Sequence, residues 1–135
     1  EKTNEATAMS RITGALKRLA MELNIPVIAL SQLNRKVEDR QDKRPMMSDL
    51  RDSGSIEQDA NMVLFPWRGA YYFDDRNPNE AEIIVAKNRN GKTCLDGVKV
   101  GWSGRHQKFT KHIDDYTPEM PTHTEKSTFD SAWDI

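Results

Sequence analysis

The chain has 135 residues, the length of one domain, and only 36% of them are hydrophobic against 30% charged, so a modest core carries a heavily charged surface. A net charge of −1 excludes a globally basic nucleic-acid binder, and no apolar run approaches the ~18 residues of a membrane span. The single cysteine, Cys94, excludes an internal disulfide and fits a reducing compartment. No signal peptide is visible. The charge is unevenly spread: six acids against Lys126 make residues 114–135 an acidic tail of −5, which leaves residues 1–113 at +4.

After a polar start at Glu1 to Ala8, the residues Met9, Ile12, Leu16, Leu19 and Leu23 recur at three- and four-residue steps. This spacing predicts an amphipathic helix, stopped by Asn24 and Pro26, whose stripe faces a core. Ile25 to Ser31, IPVIALS, then reads as a strand buried on both faces, the mark of a parallel sheet. Gln32 falls just past its carboxyl end, where ligands sit in open α/β sheets. Asn34 to Arg51 is a long polar connection with six cations and four acids, expected to be a functional or mobile loop. Asp52-Ser53-Gly54 is a turn that caps a short helix from Ser55 to Ala60. Asn61 to Arg68 reads as a strand that Pro66 shortens or places at an edge.

The next stretch, Ala81 to Trp102, predicts two strands, Glu82 to Ala86 and Gly97 to Trp102, joined by a tight turn at Asn90-Gly91 with positive φ at both residues. Such a turn throws Lys87, Arg89 and Lys92 out near one tip, where three cations suit an anionic partner such as phosphate. Ala86 to Thr93, AKNRNGKT, also imitates a nucleotide-binding phosphate loop. The imitation is rejected, because a strand pattern follows where a helix must start, and Ala stands in place of the first Gly. Gly104 to His112 reads as a last strand, and the acidic tail predicts disorder. The three histidines lie far apart without metal-ligand spacing, so no metal site is expected.

Four segments, LAMELNIPVIALSQLNR from Leu19, KRPMMSDLRDSGSIEQDA from Lys43, Val63 to Arg68, and EIIVAKNRNG from Glu82, occur in the order found in DnaB-like replicative DNA helicases. The chain resembles the C-terminal part of that family's RecA-type motor over about residues 9–110. The resemblance implies an α/β fold with a mainly parallel sheet and a β-hairpin at one side, over residues 1–113, with the tail 114–135 outside it. It implies a hexameric ATP-dependent helicase that moves on single-stranded DNA, with primase and helicase-loader partners and no membrane, in the cytoplasm of a bacterium or phage-infected cell. Gln32 matches the γ-phosphate sensor. Lys87 and Arg89 match the basic pair that reaches a neighbour's ATP, with Arg89 as the arginine finger and Asn88 between them in the nucleotide-binding set. Arg51, Asp52 and Gly54 match the loop that grips DNA phosphates. Cys94 departs from the family, which usually has Gly there.

The cofactor implied is ATP with Mg²⁺. The phosphate loop, the catalytic Glu and the Mg²⁺ ligand of such helicases lie upstream of the matching segments. The chain is therefore expected to be a piece of a larger helicase, inactive alone. Two other readings stand beside it: another RecA-type ATPase, which would share the Gln but not the two longer motifs, and a non-catalytic module that binds single strands or blocks a helicase ring.

Overall fold

In Met62–Trp67 every second side chain, Val63, Phe65 and Trp67, turns inward and is buried, while Met62, Leu64 and Pro66 stay exposed. This two-residue period is that of a strand with one covered face. In the computed structural model, which describes residues 2–50 and 53–111 (of residues 2–6 and 53 the backbone alone), it is strand β1. β2 (Glu80–Asn88), β3 (Cys94–Ser103) and β4 (Lys108–Thr110) follow. They form one sheet in the order β1-β2-β3-β4, and every pairing is antiparallel. β1 is an edge strand, which is where Pro66, lacking an amide hydrogen, is tolerated. β4 is shorter than the sequence suggests, because Gly104 to Gln107 make the turn before it, with Gln107 at φ 51°.

The core lies on one face of this sheet. Leu50, Val63, Phe65, Trp67 and Ile84 form its buried centre, with Leu33, Met47, Ile56, Tyr72 and Phe73 packed around them. Burying a side chain such as Phe65 or Ile84 contributes roughly 1.5–3 kcal/mol. On the opposite face Leu64 pairs with Val85, and Ile83 lies between Pro66 and Val98. Leu64 and Val98 are about half exposed there.

The helices are α1 (Lys2–Leu23) and α2 (Ser53–Asp59). α1 starts earlier than the apolar stripe indicates and ends where expected. Asn24 adopts φ 51°, and the Ile25 amide donates back to the Ala20 carbonyl at 3.1 Å, a left-handed cap that uses asparagine in the usual glycine place.

Three expectations are corrected. The sheet is antiparallel and not mainly parallel. IPVIALS forms no strand: Ile28 is 89% exposed and Leu30 99% exposed. A strand of that type is held by neighbours on both sides, and the four strands of the described residues pair only with one another, in chain order. The α1 stripe is likewise not core, since Ile12, Leu19 and Leu23 are exposed.

The connection from Asn34 is also more ordered than its polarity suggests. Two 3₁₀ turns, Arg35–Asp39 and Met47–Asp49, shape it, and Val37, Pro45 and Leu50 are buried. An isolated bridge joins Leu33 to Leu50. The predicted acidic tail lies outside the described residues.

Candidate functional site

The cations singled out in the sequence sit where β2 leaves the sheet. Lys87 faces Val63 and Asn88 faces Met62 across the β1–β2 ladder. The Arg89 amide extends this ladder by donating to the Asn61 carbonyl at 2.8 Å. Only two residues separate the end of α2 from β1, so its last turn lies beside these residues. The Lys87 ammonium donates to the Glu57 carbonyl, and Arg89 Nη2 donates to the Gln58 carbonyl at 2.8 Å. Both cations thus meet carbonyls that a helix end leaves without partners. An open cleft of about 460 Å³ is lined by Met47, Gly54, Glu57, Gln58, Ala86 and Lys87. Gly54, in the first turn of α2, is exposed, with nothing within 4 Å of where a Cβ would stand.

The structure therefore brings Lys87, Arg89 and Gly54 together around one short helix. Gln32 is exposed one residue before the Leu33 bridge and shares no hydrogen bond with Lys87 or Arg89 among the described residues. Arg51 and Asp52 lie outside the described residues.

The turn differs from the predicted one. Neither Asn90 nor Gly91 has positive φ, and five residues, 89–93, join β2 to β3. Asn88 organises this loop instead. Its Oδ1 accepts from the Asn90 amide at 3.3 Å and its Nδ2 donates to the Lys92 carbonyl at 3.3 Å. Gly91 lies close against this side chain: a Cβ there would meet Asn88 Nδ2 at 2.8 Å. Strand β3 follows Thr93 directly, so Lys92-Thr93 open no helix. Cys94 pairs with Val85 and starts that strand.

Sequence reading missed the side chains that brace this hairpin. Glu82 is buried opposite Trp67, on the core face of the sheet. Its carboxylate pairs with Arg44 at 2.7 Å. The same guanidinium lies 4.6 Å from the Trp67 ring centroid and donates to the Asp96 carbonyl at 2.9 Å. Trp67 Nε1 returns a bond to the Lys43 carbonyl at 3.0 Å. Asp96 belongs to a bulge, where residues 95–97 of β3 oppose Ile84 alone, and Gly97 takes φ 83° within it. The legible signal was Glu82 itself, a carboxylate at an inward position of an apolar strand.

A second pair fixes the approach to α2. Arg40 grips both oxygens of the buried Asp49, and the Met46 amide donates to Asp49 Oδ2 at 2.8 Å. Burial pushes the Asp49 carboxyl up, but the Arg40 bond, the Met46 amide and the Arg40 charge together outweigh it and hold it below its ordinary value.

A model described as the DnaB-like helicase C terminal domain matches residues 1–111, and the chain belongs to that family. The chain is 62% identical over 109 residues to the replicative DNA helicase DnaB of Geobacillus stearothermophilus, a match covering 80% of this chain and 24% of the relative. It is 59% identical over 109 residues to the replicative DNA helicase DnaC of Bacillus subtilis, again covering 80% of this chain and 24% of the relative. A DnaB-like replicative helicase, solved in a study of its interactions with primase, superimposes with a TM-score of 0.70 at 46% identity, covering 75% of this chain and 24% of that one. A separately solved ATPase domain gives a TM-score of 0.73 at 44% identity, covering 78% of this chain and 37% of that one. The chain thus spans about a quarter of the length of the curated relatives. No helix of the described residues is long and apolar enough to cross a membrane.

Proposed function

We propose that the chain is the C-terminal portion, over residues 1–113, of the RecA-like motor of a hexameric, ATP-driven replicative DNA helicase of the bacterial or phage-infected cytoplasm. The observation that supports this best is the placement of Lys87 and Arg89 side by side at the end of β2, next to a helix whose first turn holds Gly54. In the ring, Arg89 acts as the arginine finger on a neighbouring subunit's ATP, and Lys87 and Asn88 support it. Gln32 senses the γ-phosphate of its own subunit's nucleotide. Arg51, Asp52 and Gly54 grip single-stranded DNA through its phosphates, which makes travel independent of sequence. Primase and a loader are the partners of the whole protein.

The donor chemistry fits one end of the implied cofactor. Two adjacent cations suit the anionic phosphates of ATP. The described residues gather no group of carboxylates for Mg²⁺, so the ion's ligands are not assigned to them. In phosphoryl transfer positive charge is needed where the γ-phosphate oxygens gain charge, and a finger supplied from another subunit is worth roughly 10³–10⁵ in rate. The exposed IPVIALS segment, the open sheet face and the α1 stripe are the surfaces on which the remaining strands of the motor would settle.

The test is Arg89→Ala in the full-length protein. Turnover of ATP with single-stranded DNA falls by about 10³. Mixed rings, in which Arg89→Ala subunits sit beside subunits whose own nucleotide loop is disabled, recover part of it. Native turnover in the variant sinks the assignment.

A further inference from the structure

A helix leaves its last four carbonyls without partners. In α2 the Ile56 carbonyl accepts from the Ala60 amide at 2.9 Å. The next two, those of Glu57 and Gln58, are taken by Lys87 and by Arg89. Cations at this end also oppose the negative pole of the helix. The base of α2 is tied to α1: Asp59 accepts from the Thr13 hydroxyl at 2.5 Å, and the Lys17 ammonium donates to Asn61 Oδ1. Its first turn, at Gly54, is open.

We infer that the Glu57 and Gln58 carbonyls form a dock within the subunit that holds Lys87 and Arg89 withdrawn, and that α2 couples their release to events at Gly54. This rests on the helicase role proposed for the two cations. To reach a phosphate across the ring, both side chains leave α2. The two carbonyls then lose their partners and the last turn loosens. The converse follows: whatever loosens that turn releases the cations. Single-stranded DNA engaged beside Gly54 acts on the same seven-residue helix from its other end. The dock restrains hydrolysis when no DNA is bound.

The test compares Gln58→Gly and Gln58→Ala in the full-length protein, measuring ATP turnover without DNA and at saturating single-stranded DNA. Glycine weakens the turn and alanine does not, while both remove the same side chain. Gln58→Gly raises DNA-free turnover about five-fold, the population change a glycine penalty of ordinary size produces, and leaves the saturated rate within about two-fold. Gln58→Ala keeps the native ratio. A native ratio in Gln58→Gly, or equal effects in the two variants, overturns the dock. If Gln58→Gly does not fold, hydrogen exchange in the native protein decides. Single-stranded DNA with a non-hydrolysable ATP analogue speeds exchange of the Ala60 amide, and unchanged protection overturns the inference. Arg89→Ala separates the two levels. An inactive Arg89→Ala with a native Gln58→Gly removes only the dock, whereas a fully active Arg89→Ala removes the helicase role on which it rests.

Discussion

Substituting Gly97 by alanine tests the bracing of the hairpin. At φ 83° an L residue costs about 1–2 kcal/mol from its own backbone clash. The added Cβ would also stand 2.7 Å from Glu82 Oε2 and 3.0 Å from Glu82 Cβ. Glu82 cannot simply swing aside, because it is buried and tied to Arg44 at 2.7 Å. Breaking a fully buried pair costs roughly 3–5 kcal/mol; here 26% of the Arg44 side chain is in water, so about 1–2 kcal/mol is the appropriate share. The sum is about 2–4 kcal/mol. With a urea dependence of roughly 1.5 kcal/mol per molar, the unfolding midpoint of Gly97→Ala falls by about 1.3–2.7 M. Gly91→Ala is the control. Its φ is not positive, and its Cβ meets only the Asn88 amide at 2.8 Å, a side-chain end that can shift at the cost of its exposed loop hydrogen bonds. It shifts the midpoint by no more than about 0.7 M, the loss of roughly one exposed hydrogen bond. A Gly97→Ala midpoint within about 0.3 M of native, as an ordinary surface change gives, or a Gly91→Ala loss of equal size, refutes the strain argument.

Two further outcomes are expected. Arg44→Met removes both the ion pair of the buried Glu82, worth about 1–2 kcal/mol here, and the cation over the Trp67 ring, worth about 0.5–1 kcal/mol, so stability in urea unfolding at neutral pH falls by about 1.5–3 kcal/mol; an unchanged midpoint would show that Glu82 finds another partner, such as Lys99 opposite it on β3. Asp49 has a folded-state pKa below its ordinary value of 3.8, so its ion pair stabilises the fold above that value and the contribution is lost as pH falls through the lower, folded one. Asp49→Asn therefore removes stability at neutral pH and flattens the acid limb of a plot of unfolding free energy against pH, whereas an unaltered acid limb would assign the limb to other carboxyls.

How much the residues reveal depends on how far each signal reaches along the chain. The alternation around Phe65 and the stop at Asn24 are local, and both are legible. IPVIALS is strand-like in composition, but a strand exists only with neighbours, and composition cannot say whether they are present. The two-residue turn fails because the Asn88 side chain, not the Asn90-Gly91 backbone, closes the loop. Arg44 is legible only as one cation among six. Its bond to the Asp96 carbonyl spans 52 positions, and no periodicity encodes that. Of the candidate site, Lys87, Arg89 and Gly54 are named by the sequence, but their meeting on α2 is not visible there. The carbonyls that hold the two cations have no sequence signature at all.

The five-residue loop has a practical consequence. Lys87 and Arg89 are fixed before it by the ladder to β1, and the offset after it is absorbed by the Gly97 bulge. Residues 90–93 lie outside both ladders, so a change of side chain there turns neither strand over. A fluorophore on the exposed side chain of Lys92 or Thr93 would ride on the tip while the Asn88 bonds stay intact and both cations keep their height above α2. That makes the tip the natural attachment point for a probe of hairpin position in the full-length protein.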